Sequence, residues 1–356
     1  MLNSVSTAGR SPDPVVFVLP GAEGDPGRYN RRLCQYLPAA GLPVLELPIA
    51  SATRLSRSLS ALPDGTVVLL DGQIASAVPE VVVPHSRRLR LVVLVHSPLA
   101  DGAGPDHSRA LELDASERET LRMVSTVVAT GPGLAHHLID RHDLDPARVH
   151  VARPGTDRAP LAVGTDGVSH LVCVSPLVEG NGQDVLARAL NSVRDLRLTC
   201  DFVGSPGDDP AFVSALRRSL DHRSRLLSPP GLAAVYDAAD LVVLPTQATV
   251  VTDALVRGIP VLATDTSPAA DVADFPGLLI PPDDVAALAM ALRRWALDPE
   301  LRRSLRTDAL ARGCSLPTWP ATAGRLADVL ARLQTAPPEV VVPLSRRPAR
   351  PTALTT

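Results

Sequence analysis

The sequence predicts an α/β protein of two domains, each a doubly wound parallel sheet. Three observations carry that reading. The chain has 356 residues, more than one average domain needs. Short apolar runs alternate with amphipathic stretches, and the whole pattern starts again halfway along. Hydrophobic residues make up 45% of the chain but aromatic residues only 3%, so the cores are built of Val, Leu and Ala, which suits strands buried on both faces.

In the first half, the runs Val15 to Leu19, Val67 to Leu70, Leu91 to Val95, Val124 to Ala129 and Val149 to Val151 read as buried strands. Helical patterns lie between them at Tyr29 to Ala40, Ser116 to Met123 and Gly133 to Arg141. The second set of strands is Leu171 to Val174, Leu198 to Val203, Leu241 to Leu244, Val261 to Ala263 and Leu278 to Ile280. Its helices are expected at Gln183 to Asn191, Ala211 to Asp221, Thr252 to Arg257 and Val285 to Leu297, with two closing helices at Pro299 to Arg312 and Pro320 to Leu333. Both halves are therefore Rossmann-like. The expected domains are 1–164 and 165–334, divided at the Gly-containing stretch VGTDG. Residues 335–356 read as a disordered tail rich in Pro and Arg. Within it, PEVVVPLSRR (Pro338 to Arg347) nearly duplicates PEVVVPHSRR (Pro79 to Arg88), a coincidence without a physical account in the sequence.

The net charge of -3 gives no reason to expect nucleic acid as a partner. Lys is absent and all 35 basic residues are Arg, which fits a GC-rich genome. Cys34, Cys173, Cys200 and Cys314 stand far apart and form no metal-ligand spacing. Cys173 and Cys200 lie in apolar runs and read as core residues. The polar N-terminus has no apolar signal core and no run is long enough to span a bilayer, so the expected location is cytoplasmic.

Four segments in order resemble the retaining GT-B glycosyltransferases, the large family that includes sucrose synthases and bacterial mannosyltransferases. They are LDPARVHVARPGTD (Leu144 to Asp157), AVYDAADLVVLPTQATVVTDALVRGIPVLATD (Ala234 to Asp265), PGLLIPPDDVAALAMAL (Pro276 to Leu292) and LPTWPATAGRLADVL (Leu316 to Leu330). The resemblance implies two Rossmann-like lobes facing across a cleft, the last helix returning to the first. It implies transfer of a hexose, with retention, from a nucleotide diphosphate sugar to a hydroxyl acceptor, including a lipid- or membrane-linked one. The sugar nucleotide is a substrate; neither a cofactor nor a metal is expected.

Cleavage of such a donor leaves charge on a diphosphate, so cations or N–H groups must face it. The loop GAEGDPGRYN opens a helix after the first strand and offers amides around Gly27. His96 ends a strand in VVLVHSPLA, where the family places a His near the donor sugar and acceptor, and is the candidate catalytic residue. Thr249, Val250 and Val251 supply candidate backbone donors to the phosphates. Asp253 stands for the family's second Glu, placed to accept from ribose hydroxyls; a helix-capping Asp is the plainer reading.

Two departures are visible. In VSPLVEGNGQD, Pro176 and Asn181 occupy the positions of the family's diphosphate-gripping Arg and Lys, leaving Asn181 and Gly182 as the donor-side candidates. The shortened TQATVVT also lacks the family's first Glu. Losing one stabilising donor costs about a hundredfold to a thousandfold in rate, so a catalytically degenerate relative acting as a binding or partner protein is the alternative. A dehydrogenase is disfavoured, because GAEGDPG does not fit G-x-G-x-x-G.

Overall fold

The structure is a computed structural model that describes residues 13–20, 27–103, 106–206, 210–228, 231–244, 248–265 and 275–335. The Gly21 to Pro26 part of the glycine loop, Pro245 to Gln247, and the tail with its duplicated segment lie outside the described residues.

The described strands form two six-stranded sheets, parallel throughout. The first contains β1 (Val15–Pro20), β2 (Val44–Ile49), β3 (Val67–Asp71), β4 (Arg90–Val95), β5 (Thr126–Ala129) and β6 (Val149–Val151), in the order β2-β1-β3-β4-β5-β6. The second contains β7 (His170–Val174), β8 (Thr199–Val203), β9 (Ser224–Leu227), β10 (Leu241–Val243), β11 (Val261–Thr264) and β12 (Leu278–Ile280), in the order β12-β11-β10-β7-β8-β9. Strand order reverses between β1 and β3 in one sheet and between β7 and β10 in the other, and open α/β sheets place ligands beyond the carboxyl ends of the strands at such points.

Alternation along each strand fills two cores per sheet. Val16, Val18, Val68 and Leu70 face one side with Leu55 and Leu59. Val15, Phe17, Val67 and Leu69 face the other, covered by Tyr29 and Leu33 of helix Gly27–Tyr36 and by Ala323, Leu326 and Leu330 of helix Trp319–Thr335. In the second sheet, Leu171, Cys173, Cys200 and Phe202 pack under helices Gln183–Ser192 and Val285–Leu297. Val172, Val242, Val261 and Ala263 face Val250, Val251, Ala254 and Leu255 of helix Ala248–Leu255. Burial pushes the Cys173 thiol up to about 12, so this cysteine behaves as a small apolar core residue.

The compact units divide at Gly155/Thr156 and Thr318/Trp319, nine residues earlier than the expected boundary after residue 164. The reason is a buried carboxylate that composition does not reveal. Asp240 accepts from Thr165 N (2.9 Å), Gly167 N (3.1 Å) and Thr165 Oγ1 (2.5 Å), and from His170 N (3.0 Å). With Ala162 N on Arg257 O (2.9 Å) and Gly164 N on Asp237 O (2.8 Å), residues 162–170 are sewn to the second unit. The last described helix belongs to the first: Thr322 Oγ1 donates to Arg153 O (2.8 Å), and Arg90 donates to Leu333 O. The internal copy of the duplicated segment forms a short helix, Pro79–Val82, and a 3-10 turn, Val83–His85, with Val82 fully buried.

Asp240→Ala removes the acceptor of three backbone N–H groups, that of His170 buried and those of Thr165 and Gly167 partly so. The expected loss is roughly 3 kcal/mol or more of unfolding free energy, read by urea denaturation; a change below about 1 kcal/mol contradicts the assignment.

Candidate functional site

In the first unit the reversal point is occupied by polar side chains from three elements. β3 ends at Asp71, which is also the N-cap of helix Gly72–Ala77: Oδ1 accepts from Gln73 N at 3.0 Å. That strand-to-helix turn leaves Oδ2 for the sheet's carboxyl end. There it accepts from Asn30 Nδ2 at 2.7 Å and lies 3.5 Å from His96 Nε2. Asn30 comes from the helix that Gly27 opens; Gly27 has φ 71, a conformation glycine takes at least cost. His96 follows β4 directly.

The hydrogen-bond pattern fixes the roles. Asn30 gives its amide to Asp71, so its oxygen is what faces His96 Nε2 at 3.1 Å. Two acceptors around Nε2 require the proton there, which leaves Nδ1 as an acceptor when the ring is neutral. Tyr29 stacks edge-on to His96 (5.2 Å, 73°) and to Trp319 (5.5 Å, 73°), and its hydroxyl donates to Ala152 O at 2.7 Å. Burial alone would raise the Asp71 carboxyl, but the contacts with His96, Asn30 and Gln73 overcome it and hold the group below the ordinary carboxylate range. The His96 side chain is 29% exposed while that of Asp71 is only 6% exposed, so the histidine is the member of the cluster that an incoming molecule can touch. Sequence reading names His96 and Gly27 but not Asp71 and Asn30, the groups that orient the ring. An Asp closing an apolar run before Gly was the available signal.

In the second unit the corresponding point holds Asn181 and Gly182, between β7 and helix Gln183–Ser192. Gly182 has φ 77, a conformation glycine takes at least cost, and a Cβ there would sit tight, 3.2 Å from the end of the Leu244 side chain. Leu244 itself has φ 50 at the end of β10, a local strain of the kind found at sites. The polar groups of this turn are turned inward: Asn181 Nδ2 donates to Pro176 O (2.8 Å), and Gln183 Nε2 to Ser175 Oγ (2.6 Å) and Pro176 O (2.7 Å). Asn181 thus braces its own loop.

Thr249, Val250 and Val251 lie in the first turn of helix Ala248–Leu255, whose opening N–H groups cannot be satisfied within the helix. The Val250 and Val251 side chains are core. Because those valines are buried, the helix starts four residues before the expected Thr252, and Asp253 is its sixth residue. It therefore stands neither at a helix start nor at a cap, and its carbonyl accepts from Arg257 Nη1 at 2.8 Å. Among the described residues, no group of three or more His, Cys, Asp and Glu is placed to hold a metal ion, and no helix is long and apolar enough to cross a membrane.

Two doubly wound parallel sheets with polar groups at their reversal points define a two-lobed α/β protein of the GT-B class. Residues 169–298 match the profile of the family described as glycosyl transferases group 1. A D-inositol 3-phosphate glycosyltransferase of Frankia alni is 30% identical over 293 residues, covering 71% of this chain and 70% of the relative. That of Kineococcus radiotolerans is 28% identical over 279 residues, covering 67% and 63%. The chain thus spans a little under two thirds of the length of the Kineococcus relative. Among solved structures, Anabaena Alr3699/HepE in complex with UDP and glucose superposes with a TM-score of 0.68 at 17% identity, covering 89% of this chain and 99% of that one. Sucrose-phosphate synthase from Thermosynechococcus elongatus gives 0.72 at 18%, covering 90% and 98%. The chain belongs to the glycosyl transferases group 1 family.

The lowered Asp71 carboxyl sets a pH dependence. Its contribution to stability is complete above the unfolded value of about 3.9 and is lost as pH falls through the lower folded value. Wild type is expected to exceed Asp71→Asn by about 1–3 kcal/mol at neutral pH, with the gap closing in that acid window. Urea denaturation across a pH series checks this, and a gap independent of pH contradicts it.

Proposed function

We propose that this chain transfers a hexose from a nucleoside diphosphate sugar to a hydroxyl acceptor, with retention and without a metal. The observation that carries the reading is the His96–Asn30–Asp71 cluster at a sheet reversal point in a chain of this family. The roles assigned follow the chemistry of each group. His96, held through Nε2, hydrogen-bonds a sugar hydroxyl through Nδ1 and orients the reacting sugar. In the second unit, the opening amides of helices Gln183–Ser192 and Ala248–Leu255 face the diphosphate. Gly27, which opens the helix that bears Asn30, remains a candidate backbone donor to the phosphates. Asp253 remains the candidate for the ribose hydroxyls. UDP and glucose, bound by the Anabaena structure, are the first donor components to test; D-inositol 3-phosphate, named in the relatives, is the first acceptor.

A second reading rests on one specific observation. The turn 175–184 contains no Arg, Lys or His, and Asn181 is committed to its own loop. A chain that kept the fold but lost the diphosphate grip would serve as a binding partner.

Calorimetry with UDP and UDP-glucose, followed by donor hydrolysis assays, separates the two. The transferase reading expects measurable heat and a slow hydrolysis that His96→Ala lowers about a hundredfold. No heat at millimolar donor sinks it. Restoring the cations with Pro176→Arg and Asn181→Lys is expected to raise hydrolysis at least tenfold, since one such donor is worth about a hundredfold to a thousandfold. No gain means that those positions do not face the phosphates.

A further inference from the structure

We propose that Glu117 is a positioning residue for the His96 site, anchoring the segment that follows His96 from inside the fold; the inference rests on the transferase reading above. Residues 96–99 lead from the end of β4 into a 3-10 turn, Leu99–Ala103. The Leu99 N–H stands at the first position of that turn, where nothing within the turn can accept it. Glu117 Oε1 accepts it at 3.1 Å from helix His107–Met123, eighteen residues along the chain.

The anchor is itself held. Glu117 Oε2 lies 3.1 Å from His142 Nε2, and the two side chains are only 2% and 1% exposed. His142 is the last residue of helix Pro132–His142. Its Nδ1 is buried without a hydrogen-bond partner, so the proton sits on Nε2 and points at the carboxylate. A second, weaker support reaches the same segment: Thr130 Oγ1 donates to His96 O at 3.4 Å, two residues before the helix that ends in His142.

A buried carboxylate is a costly way to fill a core, and an apolar side chain of the same volume would serve packing alone. Glu117 instead aims a charge-assisted hydrogen bond at a single amide three residues from His96. Through Asn30 and Asp71 the imidazole is fixed at its Nε2 edge; through Glu117 the main chain behind it is fixed as well.

The test uses the full chain with UDP-glucose as donor and water as acceptor. Glu117→Met keeps the volume but removes the acceptor of both Leu99 N–H and His142 Nε2–H, and Leu99→Pro removes the anchored N–H together with a half-buried side chain while sparing the Glu117–His142 pair. Both variants are expected to lower kcat for donor hydrolysis about tenfold to a hundredfold, the scale of an ångström misplacement, with KM within about threefold because neither change touches the groups proposed above for the nucleotide. In Glu117→Met, hydrogen exchange of the Leu99 amide should rise about tenfold or more while helix Pro132–His142 keeps its protection. Unchanged kcat in both variants overturns the proposal alone, as does a loss of kcat that merely follows a fall in Tm with exchange raised throughout the unit. A wild-type chain without donor hydrolysis overturns the transferase reading and the proposal with it.

Discussion

A parallel sheet has no face to give to water, because each strand-to-strand crossover must lay a segment across one side or the other. That constraint organises this chain. With four Phe, three Tyr and two Trp in 356 residues, the cover has to come from Val, Leu, Ile and Ala at strict alternation. Val16 and Val18 go one way from β1 and Val15 and Phe17 the other, so one strand feeds two cores. The few large aromatics are spent where aliphatic volume fails. Trp319 and Tyr29 close the layer under the first sheet, and Trp295 seals the second while donating to Val168 O at 2.9 Å.

The same constraint places the chemistry. Crossovers that change sides leave the carboxyl ends of β1 and β3 uncovered next to one another, and polar side chains there meet solvent without breaking either core. Asp71 shows how one residue can satisfy both demands. One oxygen caps a helix that packs on the sheet, and the other holds the Asn30 and His96 groups that do not. A carboxylate doing only the second task would be an expensive buried charge; a carboxylate doing only the first would be an ordinary N-cap.

Central strands were legible because burial on both faces writes a continuous apolar run. β2 and β9 were not, and both are edges. VLELPI carries Glu46 and Pro48, and SRLL carries Arg225, whose guanidinium meets Asp201 at 2.8 and 2.7 Å. An edge strand is half solvated, so its composition looks like a loop. His96 was legible as the first polar residue after VVLV. Its partners were not, since Asn30 and Asp71 stand 66 and 25 positions away and only the topology brings them together. The compact units divide ahead of VGTDG for the same reason. VGTDG looks like a linker, but Asp240, some 75 positions distant, collects its amides. Asp253 was misplaced because Val250 and Val251 have poor helix propensity, and their burial against β10 and β11 outweighs it.

The charge distribution of the second half tightens the functional argument. The stretches that follow its strands, at residues 175–182, 204–209, 228–231, 244–247, 265–277 and 281–284, contain no Arg, Lys or His, yet they include Glu179, Asp208, Asp209, Asp265, Asp271, Asp274, Asp283 and Asp284. A diphosphate presented to that end of the sheet meets helix dipoles worth about half a charge each and no guanidinium from these stretches. Two helix starts supply about one positive charge, short of what a diphosphate carries. Asn181 is bound to its own loop as well, through Pro176 O. The two parallel sheets and the GT-B fold are shared with the solved structures. Under the transferase reading, recognition in this unit would lean on shape and amide hydrogen bonds, which are set by the sheet. Any anion held there would have to find its countercharge outside these stretches.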